Sequence, residues 1–155
     1  MAKRTVEERF WEKVEKTGTC WNWTAGKMNG YGRFAVSAGD IQQAHRVSYE
    51  FSNGLIPDGL YIDHICHNHA CVNPQHLRAV TPKQNVENVL GAPANNSSGV
   101  NGVYWNKSAK LWHAQVGHNN KRYFAGRHES LEEAAAAVKA KRLELHTHND
   151  MDRVA

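Results

Sequence analysis

The sequence predicts an α+β protein built from two small folding units that are joined by a short polar segment. Short β-like runs and segments of helical periodicity occur in both halves of the 155 residues. Residues 91–98 (GAPANNSS) combine Gly, Pro, Asn and Ser without apolar periodicity, a composition typical of a flexible connection. We therefore predict a first unit at residues 1–90, a linker at 91–98, a second unit at 99–146 and a tail at 147–155.

The first unit is predicted to contain two helices followed by a strand, loop, strand, helix arrangement. The helices are expected at residues 8–16 and 41–54, with two strands between them around a Gly/Asn turn. Residues 60–64 (LYIDH) and 77–81 (LRAVT) form the later strands. Thr81 and Pro82 then provide a good helix start, with Gln84 completing a capping box, and this helix presents Asn85 just past its first turn.

The loop between these strands carries the ligands of a predicted structural zinc site. Units this small usually need a staple, and three cysteines cannot all pair within the chain. Cys66, Cys71 and His76 fall within 11 residues, and zinc prefers four ligands in a tetrahedron. Cys20 is the remaining cysteine and our choice for the fourth ligand, with His69 and His67 as alternatives.

A second group of residues, Asp63, His64 and Asn85, has the donors needed for phosphodiester hydrolysis. That reaction requires a base to activate water and a cation to stabilise negative charge. The Asp63 carboxylate and the Asn85 carbonyl are oxygen ligands suited to Mg²⁺, and His64 would be the base. Neighbours on a strand point to opposite faces, so Asp63 and His64 share a site only if the strand twists at its end.

The second unit is predicted to be a three-stranded antiparallel sheet packed on one helix. Its strands lie in VNGVYWN, LWHAQVG and KRYFAGR, and the helix begins at Ser130 with a capping box to Glu133. On the middle strand, alternation places Trp112, Ala114 and Val116 in the core, and Trp105 is expected there as well. The opposite face, which carries His113, Gln115 and Gly117, should be exposed and polar. Lys107, Lys110, Lys121 and Arg122 flank that face, which suits a DNA groove.

Composition favours an acidic partner and argues against a membrane protein. The net charge is +4 and the pI is about 9.0, as in many nucleic-acid-binding proteins. No apolar run approaches the roughly 20 residues of a membrane span, and the first 20 residues lack a signal-peptide core. We expect a soluble, cytoplasmic protein.

The segment AHRVSYEFSNGLIPDGLYIDHICHNHACVNPQHLRAVTPKQN resembles the HNH nucleases of bacteriophages and, in its His, Cys, Cys, His, Asn order, the His-Cys box homing endonucleases. The resemblance implies a zinc-stabilised ββα-metal domain. It implies that His64 is the general base and that Asp63 and Asn85 bind a catalytic Mg²⁺ or Mn²⁺. It also supports Cys20 as the fourth zinc ligand. Arg46 matches an arginine that could clamp the scissile phosphate.

One feature departs from the usual HNH pattern. Many of these nucleases have Asn at the middle position, where it orients the base, whereas this chain has His76, which zinc would occupy. We therefore expect a backbone carbonyl to orient His64 instead. If the chain is phage-encoded, it would act in the cytoplasm of the bacterial host.

The segment from Ser98 to Leu145 resembles the APETALA/ethylene-response-factor DNA-binding domain, in which a three-stranded sheet lies in the major groove. The matching features are S-G-V-x-G-V, W-x-A-x-V, a basic-aromatic strand that ends in Gly126, and EEAAAA. The partner implied is double-stranded DNA, bound by a monomer or a homodimer. By position, the residues expected to face DNA are Asn101, Tyr104, Asn106, Lys110, Gln115, Arg122 and Phe124.

These sequence features are compatible with three functions. A metal-dependent DNA endonuclease of homing type is favoured because Asp63, His64 and Asn85 occur together. The alternative is a zinc-stabilised DNA-binding regulator with a vestigial nuclease site. An RNA-binding function is less favoured, because the sequence shows no obvious exposed aromatic pair for stacking single-stranded bases.

Overall fold

The computed structural model describes residues 4–88 and 91–153, and it confirms the predicted α+β class. The chain forms two compact units, Met1–Pro82 and Lys83–Ala155. The division therefore precedes the predicted linker. The reason is that Glu87 accepts a hydrogen bond from the backbone of Thr147, and Asn88 accepts one from Asp150, which ties this segment to the C-terminal residues. Residues 89–90 of the predicted first unit lie outside the described residues, as do residues 154–155 of the predicted tail.

Much of the predicted linker is hydrogen-bonded rather than open. The Asn96 side chain accepts from the backbone of Ser98 at 2.8 Å, and the Ser98 hydroxyl donates to the Val103 carbonyl at 2.7 Å. Side chains of Asn and Ser commonly close turns in this way. The polar composition of residues 96–98 therefore reflects turn chemistry.

The described residues of the first unit form two helices and seven strands, and a third helix begins at Pro82 and continues into the second unit. The helices are α1 (Val6–Trp11), α2 (Ala44–Asn53) and α3 (Pro82–Glu87). The strands are β1 (Val14–Thr17), β2 (Cys20–Trp23), β3 (Lys27–Met28), β4 (Tyr31–Ser37), β5 (Asp40–Gln43), β6 (Tyr61–His64) and β7 (Leu77–Val80). β1 pairs with β2, β4 lies between β3 and β5, and β6 pairs with β7, all antiparallel.

Both helices predicted early in the chain are shorter than expected. A capping box between Thr5 and Glu8 starts α1 earlier, and residues 14–17 form β1 because they pair with β2. Residues 41–43 belong to β5, since that segment pairs with β4. Strand pairing outside the local sequence overrode the helical pattern in both cases.

An aromatic core holds α1, β2, β4 and α2 together. The ring centroid of Phe10 lies 5.0 Å from that of Trp23 and 5.1 Å from that of Phe34. Gly32 allows the close packing, because a Cβ there would lie 2.6 Å from the Trp23 ring. This core fixes β2 and α2, which carry site residues described below.

The second unit has the predicted sheet of three antiparallel strands and a long helix. The strands β8 (Val103–Asn106), β9 (Leu111–His118) and β10 (Lys121–His128) are arranged with β9 in the middle, and α4 (Leu131–Leu145) and α5 (Asp150–Arg153) follow. Its buried core consists of Val103, Ala114, Val116, Ala134 and Val138.

Two expectations for this sheet were wrong. His113 is only 8% exposed because it lies between the side chains of Tyr104 and Phe124. Trp105 is 41% exposed, since it lies on an outer strand and packs edge-to-face on Trp112 rather than inside the core. A residue on an outer strand has a neighbouring strand on one side only, so more of its side chain stays in contact with solvent.

The predicted tail is partly structured. α5 is attached to α4 by an ion pair between Asp152 and Arg142, both largely buried, and Asn149 donates to the Asp152 carboxylate. No helix in residues 4–88 and 91–153 combines the length and apolar character needed to cross a membrane.

We expect Asp152→Asn to lower the free energy of unfolding of the second unit by about 1–3 kcal/mol at neutral pH, because Arg142 would lose its partner. Burial raises the pKa of Asp152, but the hydrogen bond and the charge of Arg142 lower it by more. The net pKa therefore lies below the ordinary value of 3.8. The stabilisation is present above that value and is lost as the pH falls through the lower folded pKa. Urea unfolding at several pH values measures both effects.

The control for this prediction is Glu144→Gln, which removes an exposed ion pair to Lys141 on the same helix. Exposed pairs of this kind contribute little. Equal losses for the two variants would contradict a stabilising role for Asp152.

Candidate active site and metal centre

Four side chains form a cluster that could hold a metal ion: Cys20, Cys66, Cys71 and His76. Their ligand atoms all lie within 4.8 Å of one another. His76 Nδ1 is 3.7 Å from Cys20 Sγ and 3.6 Å from Cys71 Sγ. Metal–ligand lengths typical of zinc give a tetrahedral S–N edge of about 3.6 Å. The residues therefore fit a zinc ion, and Cys20 joins the group in preference to His67 or His69.

Backbone pairing brings Cys20 to the loop that carries the other three ligands. The Val72 N–H donates to the Trp21 carbonyl at 2.7 Å, and the Trp23 N–H donates to the Ala70 carbonyl at 2.8 Å. The Asn73 side chain adds a 2.7 Å hydrogen bond to the Thr19 carbonyl. Asn73 also caps the short 3-10 helix Pro74–His76, which positions the His76 ring.

The sulfur atoms of the cluster interact electrostatically. The hydrogen bond between Cys66 and Cys71 lowers the pKa of the Cys71 thiol and raises that of Cys66. The Asn73 N–H also points at Cys71 Sγ, at 3.4 Å. The two sulfur atoms lie within 4.8 Å of each other, as ligands of one cation would.

His64 ends β6 with a fixed ring and 4% exposure. Its Nε2 lies 3.0 Å from the carbonyl oxygen of Cys71, which only accepts hydrogen bonds, so Nε2 carries the hydrogen. Burial lowers the pKa of His64 and outweighs the opposite effect of this hydrogen bond. The ring is therefore neutral at pH 7, and Nδ1 is the nitrogen with the lone pair.

Three further rings surround His64. The centroids of His45, Tyr31 and His69 lie 4.7, 5.9 and 6.0 Å from that of His64. His69 stacks on Tyr31 at 4.4 Å. Burial lowers the pKa of His45 to about 3, and the repulsion that a protonated His45 would meet from His64 and Arg46 adds to the effect, so His45 is neutral as well.

Asp63 pairs with Arg78, which lies directly opposite it in the β6–β7 register. The Asp63 Oδ2 atom accepts from Arg78 Nη2 at 2.8 Å and from Nε at 3.0 Å. Burial and the charge of Asp63 raise the pKa of Tyr31, so the carboxylate acts on the cluster around His64. The structure thus brings Asp63 and His64 close in one unit.

The remaining predicted residues of this site are more exposed. Arg46 lies on α2 and is partly exposed, and Asn85 lies on α3 and is exposed. Asn85 falls within the second compact unit. Its role beside Asp63 belongs to the function proposed below.

The residues expected to face DNA lie on the sheet and its turns. Tyr104, Gln115, Arg122 and Phe124 are on the face opposite the core, as the register with His113 and Gly117 requires. Asn106 ends β8 and accepts from the Ala109 N–H in the turn. Asn101 and Lys110 lie in turns.

Three residues near this site are not among those expected from the sequence: His45, Tyr31 and Arg78. His45 had a signal, because it precedes Arg46 in the HR pair. Arg78 also had a sequence signal. It is the second residue of β7 and Asp63 is the second-last residue of β6, so an antiparallel hairpin pairs the two. No signal in the sequence identified Tyr31, because only the packing of β4 brings its ring to the site.

This chain is similar to a family of HNH endonucleases and to several phage proteins. The sequence profile of a family described as HNH endonuclease matches residues 42–87, the region that carries Asp63, His64 and Asn85. Protein 3.8 of Escherichia phage T7 is 36% identical over 102 residues, which are 66% of this chain and 83% of that protein. Protein 7.7 of the same phage is 42% identical over 72 residues, 46% of this chain and 55% of that protein.

The match over residues 42–87 shows that the chain contains an HNH endonuclease domain. The chain belongs to the family of phage proteins that includes Protein 3.8 of Escherichia phage T7. It spans 55% of Protein 7.7 and 56% of Protein 2.8 of that phage, about half of each. No solved structure matches the chain.

Proposed function

We propose that the chain is a metal-dependent DNA endonuclease of phage homing type in which His64 activates water. The observation that carries the proposal is the contact between His64 Nε2 and the Cys71 carbonyl. It fixes the tautomer and leaves the Nδ1 lone pair to take a proton from water. The HNH match over residues 42–87 supports the same role.

In this proposal Asp63 and Asn85 hold a divalent cation, Mg²⁺ or Mn²⁺, through oxygen atoms, in a ββα-metal domain. When bound, the cation stabilises charge on the phosphate and on the leaving 3′ oxygen. Arg46 binds the scissile phosphate through its guanidinium. The partly exposed position of Arg46 on α2 supports this assignment.

The Cys20, Cys66, Cys71 and His76 cluster holds a structural zinc ion in this scheme. Because Cys71 supplies both a thiolate and the carbonyl that holds His64, zinc would orient the base. That arrangement replaces the orienting Asn of many HNH nucleases.

The second unit would grip DNA, as its resemblance to the APETALA/ethylene-response-factor domain suggests. Its sheet presents Tyr104, Gln115, Arg122 and Phe124 on one face. The phage origin of the relatives supports a place of action inside the bacterial host.

A supercoiled-plasmid assay tests the proposal. Zinc-loaded protein should nick or linearise the plasmid when Mg²⁺ or Mn²⁺ is added and leave it intact without them. The metal is omitted rather than chelated, since a chelator would also remove zinc. If the protein binds DNA but leaves it uncut with every divalent metal, the nuclease proposal is wrong.

The second candidate is a zinc-stabilised DNA-binding regulator with a vestigial nuclease site. The ion pair between Arg78 and Asp63 Oδ2 favours it, because a guanidinium competes with a cation for that oxygen. In this case the plasmid stays intact while DNA binding is retained.

A further inference from the structure

The outer face of the C-terminal sheet, the face opposite α4, carries a row of rings. In the register, His113 on β9 lies opposite Tyr104 on β8 and opposite Arg127 on β10, and Phe124 lies opposite Gln115. Cross-strand partners point to the same side of a sheet. A bulge between Phe124 and Gly126 keeps Arg127 on this side.

The rings of this row touch one another. The His113 centroid lies 5.4 Å from that of Tyr104 and 6.1 Å from that of Phe124. The Arg127 guanidinium lies 5.9 Å from the Phe124 centroid. We call Tyr104, His113, Phe124 and Arg127 the aromatic row.

The two outer rings are open to solvent. Tyr104 is 43% exposed and Phe124 is 59% exposed, while His113 between them is buried. Exposed rings on the two outer strands, on either side of β9, present flat apolar surfaces, which water solvates poorly. The expectation that the sheet lacks an exposed aromatic pair was therefore wrong.

The strands and turns that carry the row have Lys and Arg side chains but no acidic ones. Residues 88–128 contain five Lys or Arg residues and no Asp or Glu. These cations are Lys107, Lys110, Lys121, Arg122 and Arg127. A ligand of this face is therefore expected to combine negative charge with flat apolar rings.

We propose that the aromatic row binds unpaired bases of single-stranded DNA by stacking, while the surrounding cations contact the phosphates. The inference rests on the proposed role of the second unit in gripping DNA and names the form of DNA that the unit prefers. A duplex presents only base edges and phosphates to a sheet, whereas unpaired bases expose their faces. If the sheet bound a duplex, the exposed rings of Tyr104 and Phe124 would have no base face to stack on.

Fluorescence anisotropy of the full-length, zinc-loaded protein, without added Mg²⁺, tests the proposal. The probes are a labelled oligothymidine of about 15 nucleotides, which is near the site size of small single-strand binders, a duplex of equal length, and an oligomer whose central nucleotides are abasic. The abasic probe keeps the phosphates and removes the stacking faces. We expect the oligothymidine to bind about tenfold or more tightly than the abasic probe.

Substitutions assign the binding to the row. Tyr104→Leu and Phe124→Leu should each weaken oligothymidine binding by about tenfold and leave binding of the abasic probe unchanged. Tyr104→Phe keeps the ring and should retain the affinity, which separates stacking from misfolding. Tyr61→Leu removes a tyrosine of the other unit that is 52% exposed, slightly more than Tyr104, and should have no effect.

Three outcomes would overturn the inference: equal binding by the leucine variants and the wild type, preference for the duplex over the single strand, or tighter binding of an oligoribonucleotide of the same length. Failure of the nuclease proposal is distinguishable, because it appears as an uncut plasmid. Single-strand binding through the row can be present without cleavage.

Discussion

His64→Ala should lower the rate of plasmid cleavage by about 10²–10⁴-fold, since a positioned general base contributes that much. The Nε2 hydrogen bond to Cys71 and the lowered pKa of His64 keep Nδ1 unprotonated at neutral pH, and alanine removes that lone pair. Single-turnover cleavage with saturating enzyme measures the chemical step directly. DNA binding, measured without Mg²⁺, should stay close to that of the wild type.

His69→Ala is the matched control. It removes an imidazole from the loop that follows β6, and that ring stacks on Tyr31. The proposed mechanism gives His69 no proton to transfer. We expect a modest decrease in cleavage. A loss as large as that of His64→Ala would mean that ring packing, rather than the base, limits the rate. Loss of DNA binding by His64→Ala with cleavage retained would also contradict the assignment.

Local signals were sufficient to predict the strands and helix that carry Asp63, His64 and Asn85. Residues 61–64 and 77–80 form strands and α3 begins at Pro82, where Thr81-Pro82 predicted a helix start. Period-2 alternation, the Pro at the first helical position and cysteine spacing depend only on nearby residues. Such signals identify elements well.

Long-range pairing could not be predicted in the same way. The link between β2 and residues 70–72, which places Cys20 beside Cys71, is a pairing between segments about 50 residues apart. The ring of Tyr31 reaches His64 through the packing of β4. Nothing in the local sequence around either residue specifies these contacts, because they result from tertiary structure.

The alternation rule also failed in one informative place. It assigned His113 to the exposed face, and the side chain is indeed on that face, yet it is buried by its cross-strand neighbours Tyr104 and Phe124. Facing away from the core and being exposed are different properties when large rings flank a position. That difference is what reveals the aromatic row.

Cys71→Ser should have the second large effect, loss of zinc together with loss of cleavage. Structural zinc contributes about 10–16 kcal/mol of apparent binding free energy in small domains, and most of it is folding free energy. Cys71 is buried at the centre of the cluster, and its carbonyl holds His64. The variant should release zinc, measured by elemental analysis after dialysis, and the first unit should unfold at lower urea concentration.

Cys20→Ser tests the ligand that arrives from β2. It should lower the zinc content in the same way, because the cluster would keep three protein ligands of four. Asn22→Ala is the control, since Asn22 neighbours Cys20 on β2 and its side chain bonds Asn68 and Thr17 outside the cluster. Unchanged zinc stoichiometry in Cys20→Ser would exclude Cys20 as a ligand. If Cys71→Ser lost zinc but kept full cleavage activity, the metal would not be needed to orient His64.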